Sequence, residues 1–200
     1  MFHLFRTTPA GTARRAGALA LSAALALGAL AGCSAPEKAA EVAPSAAAFP
    51  VTVTDDAGRG VTIEARPERI VSLAPANTEI VAALGAIDRL VGVTTYCDYP
   101  AEVADIEKVG DFVGPNLEAI AALDPDVVLV TTGVQAEVVT QLEALGAAVV
   151  AVDPQTVDAL YESILTVGAA IGETDAADDM VASMRIQIDA IGEEVESAPV

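Results

Sequence analysis

The chain has 200 residues, 53% of them hydrophobic, and sets 29 Asp and Glu against 10 Lys and Arg for a formal charge of −19. Such an acidic surface repels phosphate backbones and argues against nucleic acid as a partner. The single histidine is His3 and the only cysteines are Cys33 and Cys97, so the chain beyond its leader has no serine–histidine or cysteine–histidine pair and no His-rich metal site.

Arg6, Arg14 and Arg15 precede an apolar segment, residues 16–31, that closes on Leu30-Ala31-Gly32-Cys33. This reads as a secretory signal over 1–32; a short transmembrane helix is the alternative. The Leu-Ala-Gly-Cys box resembles a bacterial lipoprotein signal. That resemblance implies cleavage before Cys33, lipidation of its sulfur, export and attachment to the cell membrane. Cys97 is then the one free thiol. Residues 33–48, rich in Ala, Pro and Glu without periodicity, read as a flexible tether.

From Phe49 the pattern becomes that of a folded domain. Phe49 to Thr54 alternates apolar and polar, turns at Asp55-Asp56-Ala57-Gly58, and resumes at Val61-Thr62-Ile63, which predicts a β-hairpin. Strands are then predicted at 69–73, 90–93, 126–130 and 147–152, and helices at 79–84, 117–123, 135–145 and 156–171. Asn77 or Thr78 is the expected cap of the first helix, and Asn116 that of the second. Met180, Met184, Ile188, Ile191 and Val195 form one stripe on a long helix from Thr174, which that threonine can cap. Alternating strands and helices with fully apolar strands predict an α/β fold: a parallel-sheet, Rossmann-like lobe preceded by a hairpin and followed by a long helix.

Open parallel sheets bind ligands beyond the carboxyl ends of their strands. That rule nominates the loops at 75–77, 95–100, 131–133 and 153–155. Two of the chain's three tyrosines, Tyr96 and Tyr99, fall in the second, in the stretch TTYCDYP. Their flat amphipathic rings suit stacking, although either can instead pack beneath the loop. No Gly-x-Gly-x-x-Gly turn or Walker box is present, which disfavours nucleotides. Asp98, Asp111 and Asp153 have no base or nucleophile at a recognisable spacing and read as turn or cap residues. No catalytic residue, metal site or cofactor is expected.

Three stretches, RIVSLAPANTEIVAALG, LVGVTTYCDYP and VGDFVGPNLEAIAALDPDVVLV, together resemble the substrate-binding proteins of ABC importers for vitamin B12, haem and ferric siderophores. The resemblance implies two α/β lobes joined by a rigid helix, with ligand held between them. It assigns 49–171 to the N-terminal ligand-binding lobe and 172–200 to the connecting helix. The second lobe is absent from the sequence, as a truncation or as a separate chain. By position in the motifs, Tyr96 and Phe112 match aromatic residues that face the ligand, and Asn77 sits beside them. Asp98 and Thr132 on the same rim complete the candidate ligand-binding set. Glu118 matches an acid that docks on the permease; locally it is also an ordinary first-turn carboxylate. Cys97 stands where a small residue such as serine is usual.

The leading expectation is therefore a lipid-anchored binding protein that hands a corrinoid or ferric chelate to an ABC permease. The alternatives are a non-transport interaction lobe and an exported α/β enzyme. None of Arg59, Arg66, Arg69, Arg89 and Arg185 lies in a rim loop, which favours a corrinoid or neutral chelate over a multiply charged anion.

Overall fold

The computed structural model of the protein describes residues 48–197. The leader, Cys33 and all but the last residue of the expected tether lie outside the described residues. Within them, strands β1 (Val51–Thr54) and β2 (Gly60–Ile63) pair antiparallel as the expected hairpin. Five strands follow in a parallel sheet: β3 (Ile70–Ser72), β4 (Leu90–Val93), β5 (Glu107–Lys108), β6 (Val127–Val130) and β7 (Ala148–Ala151). Their spatial order is β5-β4-β3-β6-β7. The chain builds outward from β3 in one direction through β4 and β5, then returns to the other side of β3 with β6 and β7. The order thus reverses between β3 and β6, where a doubly wound sheet opens a crevice.

Side chains alternate across the strands, so the sheet is buried on both faces. Ile70, Leu90, Val127, Leu129 and Val150 face one core with helices α1 (Pro75–Ala83), α4 (Val157–Ile171) and α5 (Thr174–Ser197) and with the hairpin's Val53 and Ile63. Val71, Leu73, Val128, Val130 and Val149 face a second core with α2 (Leu117–Ala122) and α3 (Ala136–Glu143). Each such Val, Leu or Ile contributes about 1.5–3 kcal/mol by leaving water. Both sheet edges are blunted. β5 has two residues, both charged, and the hairpin turn covers β7 through bonds from Asp56 N to Ala151 O (3.0 Å) and from Ala151 N to Asp55 Oδ2 (3.1 Å).

Three local expectations need correction. Helix α1 begins four residues earlier than predicted, with Pro75 in its first turn and Ala74 at the cap position, which supplies no side-chain bond. Proline is pre-set for the first helical turn and lacks only an N–H that would be orphaned there. Asn77 and Thr78 are therefore inside the helix and buried, not caps. Thr174 is likewise the first residue of α5, not a residue preceding it. Finally, the stripe on α5 is only partly used. Ala177 and Val181 are its buried positions, Met180 and Met184 pack at the margin, and Ile188, Ile191 and Val195 stand exposed together with Ile186. By contrast, Asn116 caps α2 by accepting from Glu118 N and Ala119 N, and Thr156 caps α4 by accepting from Ala159 N. None of the described helices is long and apolar enough to cross a membrane.

Candidate ligand-binding lip

The carboxyl ends of β4 and β5 lead into two neighbouring loops, 94–100 and 110–116. Thr95 N donates to Gly110 O at 2.9 Å, which stitches the loops side by side. On the first, Tyr96 and Tyr99 are 62% and 66% exposed. On the second, Phe112 is half-buried and Val113 is exposed. An aromatic and apolar lip thus projects from the sheet edge, and the tyrosines are not packed beneath their loop.

The residues between the tyrosines explain how that exposure is held. Cys97 is buried, with its sulfur 3.2 Å from both Thr94 Oγ1 and Thr78 Oγ1. Its carbonyl accepts from Lys108 Nζ at 3.0 Å. The thiol pins the loop's middle inward, so the tyrosines on either side, at 96 and 99, face outward. In the second loop Asp111 Oδ1 accepts from Val113 N and Gly114 N, a local turn that shapes the chain around Phe112. Gly110 has φ +104°, and a Cβ there would lie 2.7 Å from Asn116 N. Only glycine lets the two ends of this loop close.

Two buried carboxamides fill the crevice between β3 and β6. Asn77, 1% exposed, donates to Val130 O at 3.4 Å. Gln135 donates to Leu73 O and accepts from Thr131 N, each at 2.8 Å. Asn77, one of the expected ligand contacts, is thus buried here with its side chain satisfying a strand end. Gln135 carried no sequence signal, because a glutamine at the start of a helix is ordinary.

Thr132 lies at the far side of the rim, partly exposed, with its hydroxyl bonded to Asp153 Oδ2. Asp98 is exposed. Glu118 is exposed in the first turn of α2, which starts where the lip's second loop ends. A concavity of about 390 Å³ beside Arg66 and Asp126 lies elsewhere, and one of about 340 Å³ beside Arg59 is lined by Thr131 and Thr132; neither contains Tyr96 or Phe112. The lip is an open surface in this lobe.

Every described cation is already engaged. Arg59 pairs with Asp55 and Glu143, Arg66 with Glu68 and Glu173, and Arg89 with Glu173. Arg69 donates to Leu123 O and Lys108 to Val103 O. The Arg185 guanidinium stacks 4.4 Å from the centroid of the Tyr161 ring. Among the described residues no cluster of His, Cys, Asp and Glu could hold a metal ion.

The fold is a doubly wound α/β lobe with exposed tyrosines at one end of its sheet. The chain belongs to the periplasmic binding protein family, whose model matches residues 70–199. It is 41% identical over 193 residues to an uncharacterized ABC transporter substrate-binding lipoprotein, YvrC, of Bacillus subtilis, covering 92% of this chain and 60% of that protein. It is 34% identical over 170 residues to a cobalamin-binding protein of Halobacterium salinarum, covering 82% and 46%. Among solved structures, the heme binding protein HmuT superposes with a TM-score of 0.63 at 28% identity over 74% of this chain and 49% of that one. The chain thus spans about half the length of such relatives.

Proposed function

We propose that the protein is the substrate-capturing component of an ABC importer, exported and anchored by lipid on Cys33, which delivers a bulky metal chelate to a membrane permease. The observation that carries this reading is the pair of exposed tyrosines Tyr96 and Tyr99 beside the half-buried Phe112, on a lobe of the periplasmic binding protein family. The two outward tyrosine rings on the first loop, with the half-buried Phe112 on the loop stitched to it, offer flat apolar area and hydrogen-bonding edges, which suit a planar or rounded ligand recognised by shape. No bond of the ligand needs to break, so no catalytic group is required.

The ligand class follows from charge. With every described cation tied to a carboxylate, carbonyl or ring, a polyanion at this lip would find no free counter-charge and would face Asp98, Asp111 and Asp153. A corrinoid or a neutral ferric hydroxamate fits better than haem or a catecholate siderophore. Asp98 is the polar margin of the lip, and Thr132 a polar contact across the rim. Glu118 is the permease-docking acid, where rim charge governs encounter and register. The helix Thr174–Ser197 is the connector to a second lobe, which closes on the lip from the opposite side.

Tyrosine fluorescence titration tests the proposal, using the full chain in mild detergent and a form extended by the coding sequence that follows Val200. Saturable quenching by cyanocobalamin or a ferric hydroxamate, tighter in the extended form, is the expected result. No saturable binding of these or of haemin by the extended form would sink the reading, as would chemical turnover of any of them.

A further inference from the structure

Gln135 ends the single helical turn Gly133–Gln135 ahead of α3, and its side chain is wholly buried. A carboxamide has one acceptor oxygen and two N–H donors, and here all are used. Oε1 accepts from Thr131 N at 2.8 Å, while Nε2 donates to Leu73 O at 2.8 Å and to Phe112 O at 2.7 Å. One side chain therefore ties together the end of β3, the end of β6 and the middle of the lip's second loop.

The third of these bonds has no substitute. Residues 111–114 are otherwise held by the Asp111 turn, which is internal to the loop. Their flanks are fixed by Thr95 N to Gly110 O and by Asn116 N to Val109 O. Among the described residues, the Gln135–Phe112 bond is the one hydrogen bond from this loop's centre to another element. Its partner is the carbonyl of the very residue whose ring forms the lip.

We infer that Gln135 is a positioning residue: buried under the lip and out of reach of any ligand, it sets where Phe112 stands. The clamp is a property of this lobe alone, and its consequence for binding rests on the function proposed above. Preorganised contact surfaces bind more tightly than mobile ones because less ordering remains to be done on binding.

Amide hydrogen exchange on the full chain in detergent reads the clamp without any ligand. Gln135→Met keeps the length and removes all three bonds. It leaves Leu73 O, Thr131 N and Phe112 O without this partner. Exchange at 111–116, where among the described residues no other hydrogen bond from another element reaches the loop's centre, should speed up roughly tenfold more than at β6, whose ladder remains. Gln135→Glu keeps the acceptor and, when ionised, loses both donors. Its protection at 111–116, corrected for intrinsic exchange, should recover in part as acid protonates Glu and restores one donor, whereas Gln135→Met should show no such recovery. If neither variant folds, the unsubstituted protein still reports: the Gln135 side-chain amide protons should exchange slowly. Unchanged exchange at 111–116 in Gln135→Met, loosening spread evenly over β6, or fast side-chain exchange in the parent would each overturn the clamp. For the binding consequence, Gln135→Met should weaken cyanocobalamin roughly tenfold; unaltered affinity where the parent binds would overturn the positioning role. A parent that binds no probe overturns the proposed function, and the exchange result then still decides the clamp.

Discussion

Arg89 Nη2 and Glu173 Oε1 meet at 2.5 Å at the elbow where α4 passes into α5. Arg89 is buried, and its other terminal nitrogen donates to Pro67 O at 2.8 Å and Ile171 O at 2.7 Å. Arg66 reaches the same Glu173 oxygen from the surface at 2.6 Å. Burial lowers the proton affinity of Arg89, and repulsion from Arg66 adds to this, yet a guanidinium stays charged at neutral pH. The elbow itself is tight. Gly172 has φ +77°, and a Cβ on Gly168 would lie 2.4 Å from Ala177 Cβ. The ion cluster thus locks the direction in which the long helix leaves the lobe.

Breaking this cluster from its buried side should be costly. Glu173→Gln leaves Arg89 without its counter-charge and should destabilise the fold by about 3 kcal/mol, read by urea denaturation. Arg66→Met, at the exposed end of the same cluster, should cost under about 1 kcal/mol. Equal effects would mean that the elbow is not electrostatically held.

Asp55 is the corresponding anchor for the hairpin. This buried carboxylate accepts from Ala57 N, Arg59 N, Arg59 Nε and Nη2, and Ala151 N. Asp55→Ala leaves the β7 amide unpaired and removes one of the two carboxylates on Arg59, which keeps Glu143 and Val149 O, and should cost about 2–3 kcal/mol. The exposed Asp105→Ala should stay within about 0.5 kcal/mol. Thermal denaturation of the two variants makes the comparison.

Removing lip aromatics should separate binding from stability. Tyr96→Ala deletes an exposed ring, so the melting temperature should hardly move. Affinity for cyanocobalamin should fall tenfold or more, about 1–3 kcal/mol, as for a central aromatic anchor. Phe112→Ala should match that loss in binding with a small cost in stability, and Tyr99→Ala should do less. Calorimetric titration is the check; unaltered affinity in Tyr96→Ala would remove the lip from recognition.

The two glycines of the second loop should behave oppositely. Gly110→Ala puts a Cβ 2.7 Å from Asn116 N and 2.9 Å from Gly114 O at a positive φ, and should cost about 1–3 kcal/mol while displacing the lip. Gly114→Ala meets nothing nearer than Asp111 Oδ1 at 3.7 Å and should be close to neutral. Chemical denaturation read beside ligand affinity tests both.

Glu118 gives a prediction on the partner. It is exposed and accepts no bond that the fold needs, so Glu118→Lys should leave stability within about 1 kcal/mol. Stimulation of permease ATPase activity by the protein should fall several-fold and lose salt dependence. Asn116→Ala should instead cost about 1 kcal/mol of stability, because it removes the cap of α2.

Periodicity alone was enough to place β4 at 90–93, to pair the hairpin, and to put Asn116 and Thr156 at their helix starts. These features depend on neighbours in sequence: apolar runs, a turn, and a side chain reaching two or three residues ahead. The position of the tyrosines past β4 also followed from the strand that precedes them. What local pattern misjudged was every polar group whose partner lies far along the chain. Asn77 reads as a cap or a ligand contact until Val130, 53 residues later, is seen to take its amide. Gln135 is anonymous until Leu73, Thr131 and Phe112 converge on it. The stripe on α5 predicts a buried face, yet burial is granted only where another element arrives, as α4 does at Ala177 and Val181 but not at Ile191. Hydrophobic pattern is written in the spacing of one segment, whereas the satisfaction of a buried hydrogen bond depends on which distant backbone groups the sheet brings within reach.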